Sequence, residues 1–122
     1  MDAEVCARAR DKCVKNALDL IILALLEDRP WGLSGYDFIG LIHNFFDIMV
    51  SPGTLYPILF SLQKQGLVQV ELRGKKRVYY PAVKGKKNVK SLINCFTEAN
   101  NQLSEFLRNI SNKSEEDLPK KA

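Results

Sequence analysis

Residues capable of covalent chemistry are few in this 122-residue chain, and they are scattered. His43 is the only histidine, so an HExxH zinc helix or a His-rich metal cluster has nothing to build on. No phosphate-cradling Walker loop, no GxSxG elbow and no glycine fingerprint after a strand occurs, and the carboxylates are spread along helical faces. Cys6, Cys13 and Cys95 cannot all pair with one another, and neither a CxxC nor a Cys-His spacing offers zinc a site. Cys13 and Cys95 read as small apolar residues on helices. The alternative is a thiol switch, although no basic residue flanks Cys95 closely enough to favour its thiolate. The expectation is a protein that is not an enzyme and holds no cofactor or metal.

Electrostatic chemistry, in contrast, is concentrated. Between Arg73 and Lys90 stand eight of the chain's 18 basic residues (Arg73, Lys75, Lys76, Arg77, Lys84, Lys86, Lys87 and Lys90) and none of its 14 acids. The remainder therefore carries more acids than bases, and the net charge of +4 conceals a localised positive patch. Such a patch is the footprint of a polyanion-binding surface.

The segment just before that patch is chemically unusual. In Ser51-Pro-Gly-Thr-Leu-Tyr-Pro-Ile-Leu-Phe-Ser-Leu-Gln-Lys-Gln-Gly66, Ser51 is an N-cap and Pro52 takes the first helical position, where its missing N–H costs nothing. Gly66 supplies the left-handed stop. At 100° per residue Leu55, Ile58, Leu59 and Leu62 share one face. Gly53, Pro57, Phe60 and Lys64 fall opposite, with Thr54, Tyr56 and Ser61 on the flanks. A helix that only covered a core would present Glu, Lys and Gln outward. Pro57, inside the helix, deprives the Gly53 carbonyl of its helical donor.

These residues need elements to position them. Val14, Leu18, Ile21, Ile22, Leu25 and Leu26 recur at helical steps, predicting a helix from Lys12 to Glu27 that Pro30 ends. Ser34 caps a second helix reaching Phe45, and Asp47 to Val50 form an extended connection to the helix just described. Leu67 to Arg73 alternates, Arg77 to Val83 continues with β-branched and aromatic residues, and Gly74-Lys75-Lys76 turns between them, predicting a hairpin whose Pro81 marks an edge strand. Asn88 is expected to cap a last helix running to Ser111. There Val89, Leu92, Phe96, Ala99, Leu103, Phe106 and Ile110 form a heptad seam over roughly 36 Å, which suits a second copy of the chain. Residues 112–122 read as a polar tail.

Composition agrees with one folded unit. Apolar residues make up 46% and charged residues 26%, a globular balance. The longest apolar run, Leu20 to Leu26, falls far short of a membrane span of about 20 residues, and the mixed charges at the N-terminus are unlike a secretory signal. No membrane partner is expected, and the localisation expected is cytoplasmic.

The fold class these elements imply is mainly α with a small β-hairpin (α+β), a winged helix-turn-helix with a long C-terminal dimerisation helix. Residues 1–87 form the DNA-binding domain with its N-terminal helix, and 88–111 the dimerisation helix. Ser51, Gly53, Thr54, Tyr56, Pro57, Phe60, Ser61 and Lys64 would face double-stranded DNA from the third helix. Lys75, Lys76 and Arg77 would do so from the wing.

Ser51-Pro-Gly-Thr-Leu-Tyr-Pro-Ile-Leu, followed by Leu62 and Gly66-Leu-Val, resembles the recognition-helix signature of the PadR family of transcriptional regulators. Gly35-Tyr36-Asp-Phe-Ile resembles that family's helix-two motif, and Gly74-Lys-Lys-Arg-Val-Tyr-Tyr its wing. The resemblance covers Leu18 to Lys87. It implies a homodimer joined through N- and C-terminal helices that binds pseudo-palindromic operators and represses. The chain departs from the family in Val83-Lys84-Gly85-Lys86-Lys87, which replaces a Thr-Glu-x-x-Gly turn, and in Phe60, where a basic or polar residue is common. Its only tryptophan is Trp31, in a loop, so the aromatic-drug site of some members does not carry over. Any small-molecule effector is expected in the loops and dimer core. The competing classes are a winged helix that docks a protein and a thiol-switched regulator.

Overall fold

The computed structural model describes residues 2–113. Five helices and three short strands follow in the order α1 (Ala3–Asn16), α2 (Leu18–Asp28), β1 (Leu33–Ser34), α3 (Gly35–Phe46), α4 (Pro52–Lys64), β2 (Val68–Arg73), β3 (Lys76–Pro81) and α5 (Val83–Ser111). The described residues divide into two compact units, the first ending at Val89 and the second beginning at Lys90.

In the first unit, Leu18, Ile22 and Leu26 of α2 meet Phe38 and Ile42 of α3 and Leu55 and Leu59 of α4, with Val50 and Val89, in a core where each is almost wholly buried. Tyr79 closes it, its ring edge-on to Phe38 with centroids 6.3 Å apart. The Tyr79 hydroxyl is pushed above its usual pKa, chiefly by burial, with Arg77 pulling the other way.

The expected helix from Lys12 to Glu27 is two helices. Ala17 (φ −106°, ψ 14°) interrupts it, and the Asp19 carboxylate accepts the Leu20 N–H at 2.8 Å in the first turn of α2. The residues before Lys12, expected to lie outside the helix, form most of α1. Asp2 caps it by accepting the Glu4 N–H at 2.9 Å, and Glu4–Arg8 and Asp11–Lys15 pair one turn apart. None of its residues is buried, so an apolar stripe could not reveal it.

The hairpin gains a third strand, in the order β1-β3-β2. The strand bearing Pro81 is therefore central rather than an edge. Proline is tolerated because β1 pairs only with Tyr79 and Val78, leaving Pro81 opposite Val68 alone. Arg73 pairs with Lys76, so Lys76 belongs to β3 and the loop is Gly74-Lys75. Gly74 (φ +65°) occupies the first loop position, which a two-residue hairpin turn gives to glycine.

Helix α5 begins at Val83, not at an Asn88 cap. The Asn88 amide instead donates back to the Lys84 carbonyl at 2.7 Å, within the helix. Gly85 makes the early start feasible, since a Cβ there would collide with the Leu67 carbonyl oxygen. The expected tail is described only at Asn112 and Lys113, and 114–122 lie outside the described residues.

Candidate nucleic-acid interface

Helix α4 is held at both ends by local chemistry. Ser51 Oγ accepts the Thr54 N–H at 3.2 Å, and Pro52 opens the first turn. At the other end Gly66 takes φ +77°, and the Leu67 N–H reaches the Leu62 carbonyl at 3.0 Å, the six-to-one bond of a Schellman stop. The Lys84 ammonium adds a bond to the Gln65 carbonyl at 3.0 Å, placing a cation at the negative end of the helix.

Leu55, Leu59 and Leu62 point into the core, and Ile58 is half-buried. The opposite side is open: Ser51, Gly53, Thr54, Pro57, Phe60, Ser61 and Lys64 are all exposed. The Lys64 ammonium lies 5.5 Å from the centroid of the Phe60 ring, a cation–π contact one turn apart. Tyr56 is half-buried on the flank facing the wing.

The Tyr56 side chain leans over the start of α3. A Cβ on Gly35 would collide with its hydroxyl, so glycine there is what admits the phenol. That start is firmly made. Ser34 Oγ accepts the Asp37 N–H at 3.2 Å, and the Asp37 carboxylate accepts the Ser34 N–H at 2.9 Å, a reciprocal capping box. Ser34, Gly35, Tyr36 and Tyr56 form one side of an open cleft of about 380 Å³, and Lys75, Lys76 and Arg77 form the other. Three exposed cations, a phenol and a helix N-terminus thus converge, and all of them favour an anion.

Every residue expected on the DNA-facing surface lies in the first unit, and Tyr56, Lys75, Lys76 and Arg77 share this cleft. Sequence reasoning missed Tyr36 and Gly35 as part of it. The helix-two resemblance had singled them out without giving them a task.

The expected seam fares differently. Val89 is 1% exposed, a member of the first unit's own core, and is not available to a second copy. Farther along α5, Leu92 is partly exposed and Phe96, Ala99, Leu103, Phe106 and Ile110 are exposed, as is Leu107, which the heptad reading omitted. Cys6, Cys13 and Cys95 are exposed thiols rather than packing residues. His43 is exposed near the end of α3. No His, Cys, Asp and Glu cluster among the described residues could hold a metal ion, and no helix among them is long and apolar enough to cross a membrane.

A mainly helical unit with a three-stranded antiparallel sheet, an exposed helix and a basic hairpin has the winged-helix architecture. Residues 22–91 match the model of the transcriptional regulator PadR-like family, and the chain belongs to that family. It is 33% identical over 69 residues to the transcriptional activator GvpE1 of Halobacterium salinarum, a match covering 57% of this chain and 36% of that protein. The chain thus spans about a third of the length of the curated relatives it matches. Among solved structures, a PadR-like transcription factor from Bacteroides fragilis superposes with a TM-score of 0.63 at 22% identity, covering 81% of this chain and 98% of that one. F93 from STIV, described as a winged-helix DNA-binding protein, superposes with a TM-score of 0.57 at 30% identity, covering 63% and 84%.

Proposed function

We propose that the chain is a homodimeric operator-binding regulator. In this reading the first unit binds duplex DNA and the part of α5 beyond Val89 pairs two copies. The observation that carries it is the cleft where the wing cations face Tyr56 and the start of α3. Its open shape and its charge suit a backbone phosphate, which would anchor α4 with Gly53, Thr54, Pro57, Phe60 and Ser61 toward the major groove. Gly53 keeps the helix end slim, and Ser51 and Thr54 bring hydroxyls to the groove wall. Leu92, Phe96, Ala99, Leu103, Phe106 and Ile110 would form the pairing seam. Repression would follow from occupying a pseudo-palindromic operator in the cytoplasm, and an effector, if one acts, would enter at the loops or the dimer core.

A second reading, activation, is favoured by the names of the two curated relatives, both transcriptional activators. Reporter transcription with the operator moved from within to upstream of a promoter separates the two.

The test of the interface is a set of titrations on duplexes at several salt concentrations. Changing Lys75, Lys76 and Arg77 together to Ala should weaken binding to every duplex alike. It should also flatten the dependence of log affinity on log salt by about 0.9 for each phosphate that the wing no longer neutralises. An unchanged slope would contradict the wing's role.

A further inference from the structure

The outward face of α4 is notable for what its side chains cannot do. Reading a base pair by paired hydrogen bonds takes Arg, Lys, Asn, Gln or a carboxylate. From Gly53 to Ser61 the exposed positions offer none of these. The nearest amides come after it: Gln63, one turn beyond Phe60, borders with that ring the cleft toward β2, and Gln65 donates to Ser61 Oγ at 3.1 Å. Thr54 Oγ1 already accepts from Ser51 Oγ at 3.2 Å. What remains is apolar: Pro57, and three residues on along the same face Phe60, whose side chain is 60% exposed. A phenylalanine left mostly in water at the middle of a helix gains the fold little burial, and the cation–π contact with Lys64 ties the ring to that face.

The major groove presents one apolar group at its base edges, the C5-methyl of thymine. We infer that Phe60, supported by Pro57, reads thymine methyl groups, so that sequence preference rests on buried methyls rather than on hydrogen bonds to guanine or adenine. The inference rests on the operator-binding reading above and assigns its specificity to one ring. Lys64, at the far end of the stripe, would serve the adjoining phosphate and carry no preference.

The experiment starts by enriching preferred duplexes from a randomised pool with the full chain. Each thymine of the enriched half-site is then replaced in turn by deoxyuridine, which removes the methyl and keeps the pairing edge. For the wild-type chain, at least one replacement should weaken binding about fourfold, the equilibrium worth of burying one methyl-sized group. Phe60→Ala should bind the thymine and uracil duplexes equally well, whereas Phe60→Leu should retain a penalty. Because Phe60 lies outside the core, these variants should fold as the parent does. A flat uracil scan on an enriched sequence, or a penalty undiminished in Phe60→Ala, would overturn the inference while operator binding stood. Enrichment of no sequence at all would overturn the operator-binding reading, and the inference with it.

Discussion

Helix α2 and the distal part of α5 both carry large aliphatic or aromatic residues at helical steps, with opposite exposures. In α2, Leu18, Ile22 and Leu26 are at most 1% exposed. In α5, Phe96, Leu103, Phe106, Leu107 and Ile110 are between 40% and 60% exposed among the described residues. The first set is satisfied within one chain. The second pays the cost of hydrating apolar surface, which a soluble helix sustains when another surface covers it. The contrast teaches that periodicity identifies an apolar face but not its partner. Val89 makes the point sharply: it starts the heptad series and yet belongs to the intramolecular core.

The largest expected effect breaks the comparison at α5. Phe96→Asp combined with Leu103→Asp would bury unpaired charge in a dimer seam, costing on the order of 3–5 kcal/mol of dimer stability. Sedimentation should then show folded monomer, with the thermal stability of the first unit retained. A dimer of unchanged affinity would mean that copies pair elsewhere.

The counterpart in the first unit is Leu59→Ala. Removing a fully buried leucine should cost about 2–5 kcal/mol in denaturant unfolding. Affinity between folded chains should not change. A reversal of these two outcomes would exchange the roles assigned to the two regions.

A smaller effect concerns the cleft. Gly35→Ala forces the Tyr56 phenol aside, an overpacking cost of about 1–3 kcal/mol. DNA binding should weaken as it does in Tyr56→Phe, and the double variant should bind no worse than either single one, since both remove the same hydroxyl. Additive losses in titrations would separate Tyr56 from the cleft.

Helix α4 was legible in the sequence because its signals are local: Ser51 and Pro52 begin it and Gly66 ends it, and both ends lie where the spacing placed them. The hairpin was legible for the same reason. What escaped depends on neighbours distant in sequence. A two-residue strand such as Leu33–Ser34 has no measurable alternation, and it alone makes β3 central. Gly85 against the Leu67 carbonyl, which permits the early start of α5, is a three-dimensional neighbour with no signature in spacing. The cleft joins residues 34–36 to residues 75–77, and charge patterning revealed only its basic side.

The smallest effect is one of pH. Burial raises the Tyr79 pKa in the folded chain, so above the ordinary tyrosine value of about 10 the unfolded chain ionises first. The stability contributed by the neutral phenol is complete below that pH and is lost as pH rises through the folded value. Denaturant melts should therefore show stability declining more steeply with pH in the parent than in Tyr79→Phe.

The most direct measurement is hydroxyl-radical footprinting of the full chain on an enriched duplex. Two α4 helices presented by a paired seam should protect two half-sites centred one helical turn apart, about 10–10.5 base pairs or a multiple of it. The Phe96→Asp, Leu103→Asp chain should protect single half-sites only at much higher concentration. A single protected half-site for the parent chain, or protection unaffected by the seam variant, would contradict the account.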